Sequence, residues 1–407
     1  SMGVSEALDH FARADSIAEK TSDQEKATGY TIRIHTGFAA CYRLQENYQK
    51  ALAHLDFAEG IARSINCLRT LSDICNARAN IYFTLGDTDN IMPEHNRALE
   101  YARQLGSREL EIRSIGGLGD AYYARGEMDK AQLKFHNCCR LAREEGLIEL
   151  DAAHRAMIGW SRIYQLEMDE ARIDALEAIE VARSCNHLRG EMNAHSLLGF
   201  VYSELMEWDL GQEHGRIAVD IAERMGSYNF RAAFLVFSNR SMDETIEREK
   251  MYEMASEAAV TSRKYGLGFH GPAILGGLML VSDDEEERHA LASEAEQIIV
   301  DQGSVAHNYF WFYQFALQTA LNNREWKNLE RFRQGLMRQD GPSLTPWSEY
   351  FIQRSRVLED CYRNRITDET RRTLADLLET SHRHKLSKSA RELEAAARCC
   401  IPPGRKP

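Results

Sequence analysis

The sequence predicts an all-α fold, a solenoid of antiparallel helical hairpins, and three observations carry that reading. Within residues 109–146, Leu118, Gly119 and Tyr122 share one helical face and Gly126 interrupts it; Ala131, Phe135, Cys138 and Ala142 then form a second stripe that ends at Gly146. Steps of forty residues from Ala142 land on the same signature each time: Ile61-Ala62-Arg63, Tyr101-Ala102-Arg103, Val181-Ala182-Arg183 and Ile221-Ala222-Glu223. Finally, the chain has seven prolines in 407 residues and none between Pro93 and Pro272, which leaves a long region free to be helical.

Three further ladders run in register with the first: Ala51, Ile91, Ala131, Ala171 and Gly211; Ala39, Ala79, Gly119, Gly159 and Gly199; and Tyr42, Tyr82, Tyr122, Arg162 and Tyr202. A period of this length marks a repeat whose hairpins cannot bury their own apolar stripes and must stack on their neighbours. Small residues on the third ladder let the first helix of each hairpin approach the second, and the tyrosines three positions on fill the space beside them. Gly106, Gly146 and Gly226 follow the second helices, where a left-handed cap favours a residue without Cβ, and Asn66 and Asn186 occupy the same step.

Taken in order, Ser1-Met2 has the look of an expression scar, and residues 1–26 hold one helix in which Ile17-Ala18-Glu19 mimics the second-helix signature. That is a second helix without its first, so natural sequence is expected to precede it. Residues 27–266 divide into six hairpins at 27–66, 69–106, 108–146, 149–186, 188–226 and 229–266, the last keeping register only in part, with Asn239 at the small-residue position. Residues 267–340 read as two divergent hairpins, one around Gly276-Gly277 and Ala292 to Ile299, the other around Trp326. Gly341 to Pro346 is a short connector, and residues 341–407 supply capping helices and a basic, proline-rich tail from Ile401 onward.

Leu118-Gly119, Tyr122, Ala131 and Phe135 resemble the small-plus-aromatic pattern of the tetratricopeptide repeat (TPR), in a longer unit without the proline that often ends it. The long unit is similar to the repeats of the maltose transcriptional activator of enteric bacteria and of the C-terminal region of some bacterial adenylate cyclases. The resemblance implies a right-handed α-α superhelix with a concave groove that binds protein or peptide. It also implies an alternative, the regulatory part of a larger signalling protein such as a nucleotide cyclase or a transcription activator.

Sixty-two acidic against fifty basic residues give a net charge of −12, which argues against non-specific nucleic-acid binding. Nine cysteines without disulfide spacing, and no apolar run long enough for a leader or a membrane span, point to the cytoplasm. Gly266 to Gly271 spells GxGxxG, but a helix precedes it where a dinucleotide site needs a strand, so it reads as a helix-to-helix turn. Cys138, Cys139 and the Cys399-Cys400 pair read as packing residues, and the acidic run from Asp283 to Glu287 reads as a helix N-terminus. His382 to Lys385 likewise reads as a helix C-terminus. No HExxH, GxSxG or Walker loop occurs among the fourteen histidines and the glycines, so no enzyme, metal or cofactor is expected.

The candidate site is the inner face of the first helices. Stacked as in tetratricopeptide repeats, that face carries Arg33, Asp73, Asn76, Asn80, Arg113 and Asp120 in its polar half and Trp160 and Phe200 further along. Asparagine and arginine forks suit a peptide backbone or carboxylate, and aromatic walls suit an apolar side chain. Residues 308–315 carry aromatics on every side of a helix. Tyr309, Phe312 and Tyr313 suffice for a core, leaving Phe310, Trp311 and Phe315 for either the C-terminal helices or another molecule, which would allow a homo-oligomer.

Overall fold

The computed structural model describes residues 2–18, 20–239 and 248–400. The tail 401–407 and the side chains of Asn239, Cys399 and Cys400 lie outside the described residues. Helix α1 (Met2–Ala18) precedes six pairs: α2 (Gln24–Leu44) with α3 (Tyr48–Ser64), α4 (Leu68–Leu85) with α5 (Thr88–Leu105), α6 (Arg108–Ala124) with α7 (Met128–Glu144), α8 (Ile148–Ile163) with α9 (Met168–Ser184), α10 (Leu188–Glu204) with α11 (Trp208–Arg224), and α12 (Tyr228–Asn239) with α13 (Arg248–Tyr265). Helices α14 (Gly271–Val281) and α15 (Glu285–Gln297) follow, the latter running into a π turn at Ile298–Gln302. Then come α16 (Ala306–Asn322), α17 (Trp326–Asp340), α18 (Pro346–Tyr362), α19 (Asp368–Arg383) and α20 (Ser387–Cys400).

The repeat physics is visible in the core. Ala62, Ala102, Ala142, Ala182 and Ala222 are all 0% exposed on their second helices, because a methyl group is the largest side chain that lets neighbouring hairpins close over it. The even-numbered helices from α4 to α18 touch one another in sequence and form the inner layer, while the odd-numbered helices cover the outside. Buried charge between the layers is paired. Arg78 meets Glu59 and Glu94 at 2.6 and 3.2 Å, Arg288 meets Glu325 at 3.0 Å, Arg333 meets Glu359 at 2.6 Å, Arg354 meets Glu392 at 2.8 Å, and Arg155 bonds Asp151.

Both helices of each pair end in a left-handed residue, so that conformation recurs every twenty residues: Glu46, Asn66, Gly86, Gly106, Gly126, Gly146, Leu166, Asn186, Met206 and Gly226 all have positive φ. At each step the backbone N–H that follows bonds back to a carbonyl in the last helical turn, as Asn47 does to Tyr42 and Glu207 to Tyr202.

The superhelix returns onto itself. The end of α4 meets the turn between α13 and α14, where a Cβ on Gly268 would lie 2.5 Å from the Leu85 carbonyl oxygen and one on Gly86 would lie 2.9 Å from that of Gly303. The GxGxxG stretch is therefore a turn between two helices, and at Gly268 it needs a glycine because another backbone passes against it. Further along the same seam, the Tyr309 hydroxyl sits over Gly126, the Trp347 N–H donates to Tyr164 O at 3.2 Å, and Lys385 pairs with Asp169 at 2.8 Å.

Of the two neighbours expected for the aromatic helix, the return supplies one from within the chain and corrects the expectation of an exposed interface. Phe310, Trp311 and Phe315 are 0%, 2% and 3% exposed. Phe310 packs on Tyr164 with ring centroids 4.6 Å apart, and Trp311 packs on Phe200 at 4.8 Å and on Trp347 at 5.1 Å. Their neighbours are the chain's own helices, α8 and α10 as well as α18, so these side chains are not available to a second molecule.

Candidate functional site: a cavity inside the superhelix

Because α14 and α16 fold back over α4 and α6, the inner face surrounds a cavity of about 380 Å³ instead of a long open groove. Asn80, Phe83 and Thr84 enter it from α4, Arg113, Asp120 and Tyr123 from α6, and His154, Met157 and Trp160 from α8. Arg189, Asn193 and Ser196 come from α10, Phe230 and Phe234 from α12, and Arg43 reaches in from the end of α2. The remaining wall is Phe269 and His270 of the glycine turn with His307 and Trp311 of α16.

The predicted residues divide accordingly. Asn80, Arg113, Asp120 and Trp160 line the cavity. Asp73 stands beside it, 4.0 Å from Arg113, whose guanidinium also meets Glu109 at 2.8 Å. Asn76 is 5% exposed and spent inside the stack: its amide nitrogen donates to Ser114 Oγ at 3.3 Å, and its oxygen lies 2.9 Å from His95 Nδ1. Arg33 is exposed on α2, in a shallow groove with Phe11, Ile17 and Tyr30 away from the other residues. Phe200 is 2% exposed beneath Trp311, so the aromatic half of the predicted groove is filled by the chain's own α16 and α18.

Several lining residues lay outside the expected set. Arg43, Phe83 and Tyr123 are forty residues apart and one helical turn beyond the face considered, while Glu149 and Arg189 are forty apart and one turn before it. Extending the same face by a turn in each direction finds them. His270 and His307 carry no repeat signal and arrive only through the closure.

The charge balance of the cavity is uneven. Burial holds the Asp120 carboxyl up at about 7 despite the Arg189 charge, so it is half neutral at physiological pH. Burial pushes His154 down to about 4, with Arg189 adding to the effect, and His307 also to about 4; His270 is lowered further by burial and by His307. These imidazoles are neutral. His307 Nε2 donates to Phe269 O at 2.6 Å, whereas both ring nitrogens of His270 are shielded and have no protein hydrogen-bond partner. Arg43 and Arg189 remain charged; burial lowers both guanidinium pKa values, and the Arg43 charge lowers that of Arg189 further. Among the described residues no carboxylate lies within ion-pair distance of either, and Glu149 stands exposed at the rim. No three metal-ligating side chains come together among the described residues, and none of the described helices is long and apolar enough to cross a membrane.

No protein-family model matches the chain, and no curated protein matches it in sequence. Among solved structures it is similar to the crystal structure of a Rap protein complexed with competence and sporulation factor, with 12% identity over 82% of this chain and 79% of that chain and a TM-score of 0.55. The fold is a TPR-like solenoid. A second structure, the apo form of RapI, covers 75% of this chain and 98% of its own at 12% identity and a TM-score of 0.47. At this identity the likeness concerns the fold alone, and the TPR-like solenoid here is described by its own cavity.

Proposed function

We propose that this TPR-like solenoid is a non-catalytic receptor for a short peptide, held in the cavity between its inner helices. The observation that carries the reading is the wall itself: Asn80, Arg113 and Asn193, on three inner helices, offer amide and guanidinium donors beside the aromatic surfaces of Phe83, Trp160 and Phe234. Amide forks satisfy a peptide backbone, and aromatic walls take its side chains. The cavity's volume falls in the range of sites for small ligands, so a few residues fit and a long extended segment does not. The similar Rap structure was solved with a factor bound to it, which supports a binding role. The non-catalytic reading rests on the lining chemistry, in which no nucleophile is hydrogen-bonded to a base.

The test is affinity selection from a library of random pentapeptides, with retained sequences identified by mass spectrometry. Asn80→Ala and Arg113→Ala should each weaken the retained peptides about tenfold to a hundredfold, the loss of one charged or fork contact worth roughly 1.5–3 kcal/mol. The melting temperature should stay nearly constant, since both side chains are exposed to the cavity. Unchanged affinity in the double variant would assign the peptide to another surface.

A second reading, the regulatory part of a larger signalling protein, is favoured by the N-terminal end of the stack. Helix α1 packs on α2, and the pair leaves Ile17 66% and Tyr30 46% exposed, an apolar surface that another domain would cover. The finer resemblance to the maltose activator and adenylate cyclase repeats belongs to this reading. Natural sequence upstream of Met2 that encodes a catalytic or DNA-binding domain would support it.

A further inference from the structure

The treatment of arginine differs between the body of this protein and its cavity. All five arginines that the fold buries, Arg78, Arg155, Arg288, Arg333 and Arg354, have a carboxylate in contact. That is the ordinary condition for a charge withdrawn from water, because an unpaired one is costly. Arg43, half-buried, and Arg189, exposed to the cavity, are not paired in this way. Both line the same cavity, and among the described residues neither has an ion-pair partner. Two guanidiniums that face one cavity without an ion-pair partner offer a site for an anion.

The surroundings of Arg189 define what else the ligand carries. Phe230 lies under the guanidinium, with Arg189 Cζ 5.6 Å from the ring centroid, and Phe269 stands edge-on to Phe230 at 5.1 Å. The His270 ring is 5.6 Å from Phe230, and its two nitrogens are shielded and unpartnered. Of the two carboxyls that line the cavity, Glu149 stands exposed at the rim and Asp120 lies near Arg189 without a hydrogen bond to it.

We infer that the cavity recognises the carboxylate of a short acidic peptide through Arg43 and Arg189, with an adjacent apolar side chain seated on Phe230 and Phe269. A carboxylate held by two guanidiniums forms charge-assisted hydrogen bonds, stronger than those between neutral groups. The chemistry is the same for a free C-terminus and for an Asp or Glu side chain. This inference rests on the peptide reading above and adds the charge and polarity of the end that is held.

The experiment uses the whole protein and two libraries of random pentapeptides, one with free C-terminal acids and one with C-terminal amides. They are screened by affinity selection against wild type, Arg43→Met, Arg189→Met and Arg189→Lys. Retained peptides should be enriched in carboxylate next to an apolar residue. Loss of retention from the amide library identifies the C-terminus as the source; retention of Asp- or Glu-containing amides identifies a side chain. Either Met variant should weaken retained peptides at least tenfold, and Arg189→Lys, which keeps the charge, should recover part of that loss. Both Met variants should melt close to wild type, since neither arginine has an ion-pair partner to lose among the described residues, and this melt verifies that they fold. Peptides retained without acidic enrichment, and equally by the Met variants, would overturn the inference while leaving the peptide reading intact. In parallel, phenylacetate is titrated against wild type and Arg189→Met by tryptophan fluorescence, since Trp160 and Trp311 line the cavity. A response confined to wild type, with no peptide retained from either library, would keep the anion site and overturn the peptide reading. Silence in both assays overturns both.

Discussion

Asp120 carries the cavity's electrostatics at the residue scale. It is half-buried in the cavity wall without a hydrogen bond, and desolvation holds its carboxyl up at about 7. A folded-state pKa raised above the unfolded value means that the neutral carboxyl favours the fold; that stability is present in full below the ordinary carboxyl range and is lost as pH rises through about 7. The rate of loss is at most about 1.4 kcal/mol per pH unit. Asp120→Asn keeps the shape and removes the titration, so urea midpoints of variant and wild type should diverge in the variant's favour as pH rises from 5 to 7 and stay parallel above that. His154 and His307, titrating near 4, are common to both proteins and cancel in the comparison. Midpoints that track each other across the range would show that Asp120 is ordinarily ionised. In the sequence, Asp120 and Arg113 were legible as members of the inner face because they keep the forty-residue step. Arg43 and Arg189 keep the same step, but the face was drawn one turn too short at each end. Asn76 lies on the correct face and is nonetheless consumed by Ser114 and His95, because hydrogen bonding between neighbouring repeats depends on the partner helix and not on the period.

At the scale of the element, the helix ends were half legible. Glycine and asparagine announce a left-handed cap at positions 66, 106, 146, 186 and 226, yet the same conformation closes the first helices, where Glu46, Leu166 and Met206 give no compositional sign of it. These residues are held left-handed by the pairing of two helices across a short turn, at a cost of roughly 1–2 kcal/mol each relative to an ordinary backbone conformation. Met206 is half-buried, with φ 63°. Met206→Gly should therefore raise stability by about 1 kcal/mol, read as a higher urea midpoint at unchanged slope. A lower midpoint would mean that the packing of the methionine outweighs the relief of its backbone.

The molecule as a whole could not be read from the period. Each ladder reports contacts between neighbouring repeats, whereas the seam joining α4, α6 and α8 to α14, α16 and α18 is made of single residues with no recurrence: Gly268 against Leu85, Tyr309 against Gly126, Trp347 against Tyr164. The seam turns a groove into an enclosure, and it can be opened on its own. In Gly268→Val the new side chain would collide with the Leu85 carbonyl, which cannot move without its helix. Helix content by circular dichroism should be unchanged, while the radius of gyration in small-angle scattering rises and amide exchange quickens at residues 84–88 and 266–270. An unaltered scattering profile would show that the seam does not hold the two arms together.

The seam also determines when this protein acquires its site. Hairpins of a repeat array form from local contacts, so the first six can assemble as each leaves the ribosome. The contact of His384 with Leu166 O joins residues 218 apart along the chain, and encounters of that separation are the slow ones in folding. Most of the protein is thus ordered before its interior exists, and the cavity is completed last, with the docking of helices translated near the end. A chain halted after its regular repeats would have those repeats folded and the cavity still open on the side that α14 and α16 cover.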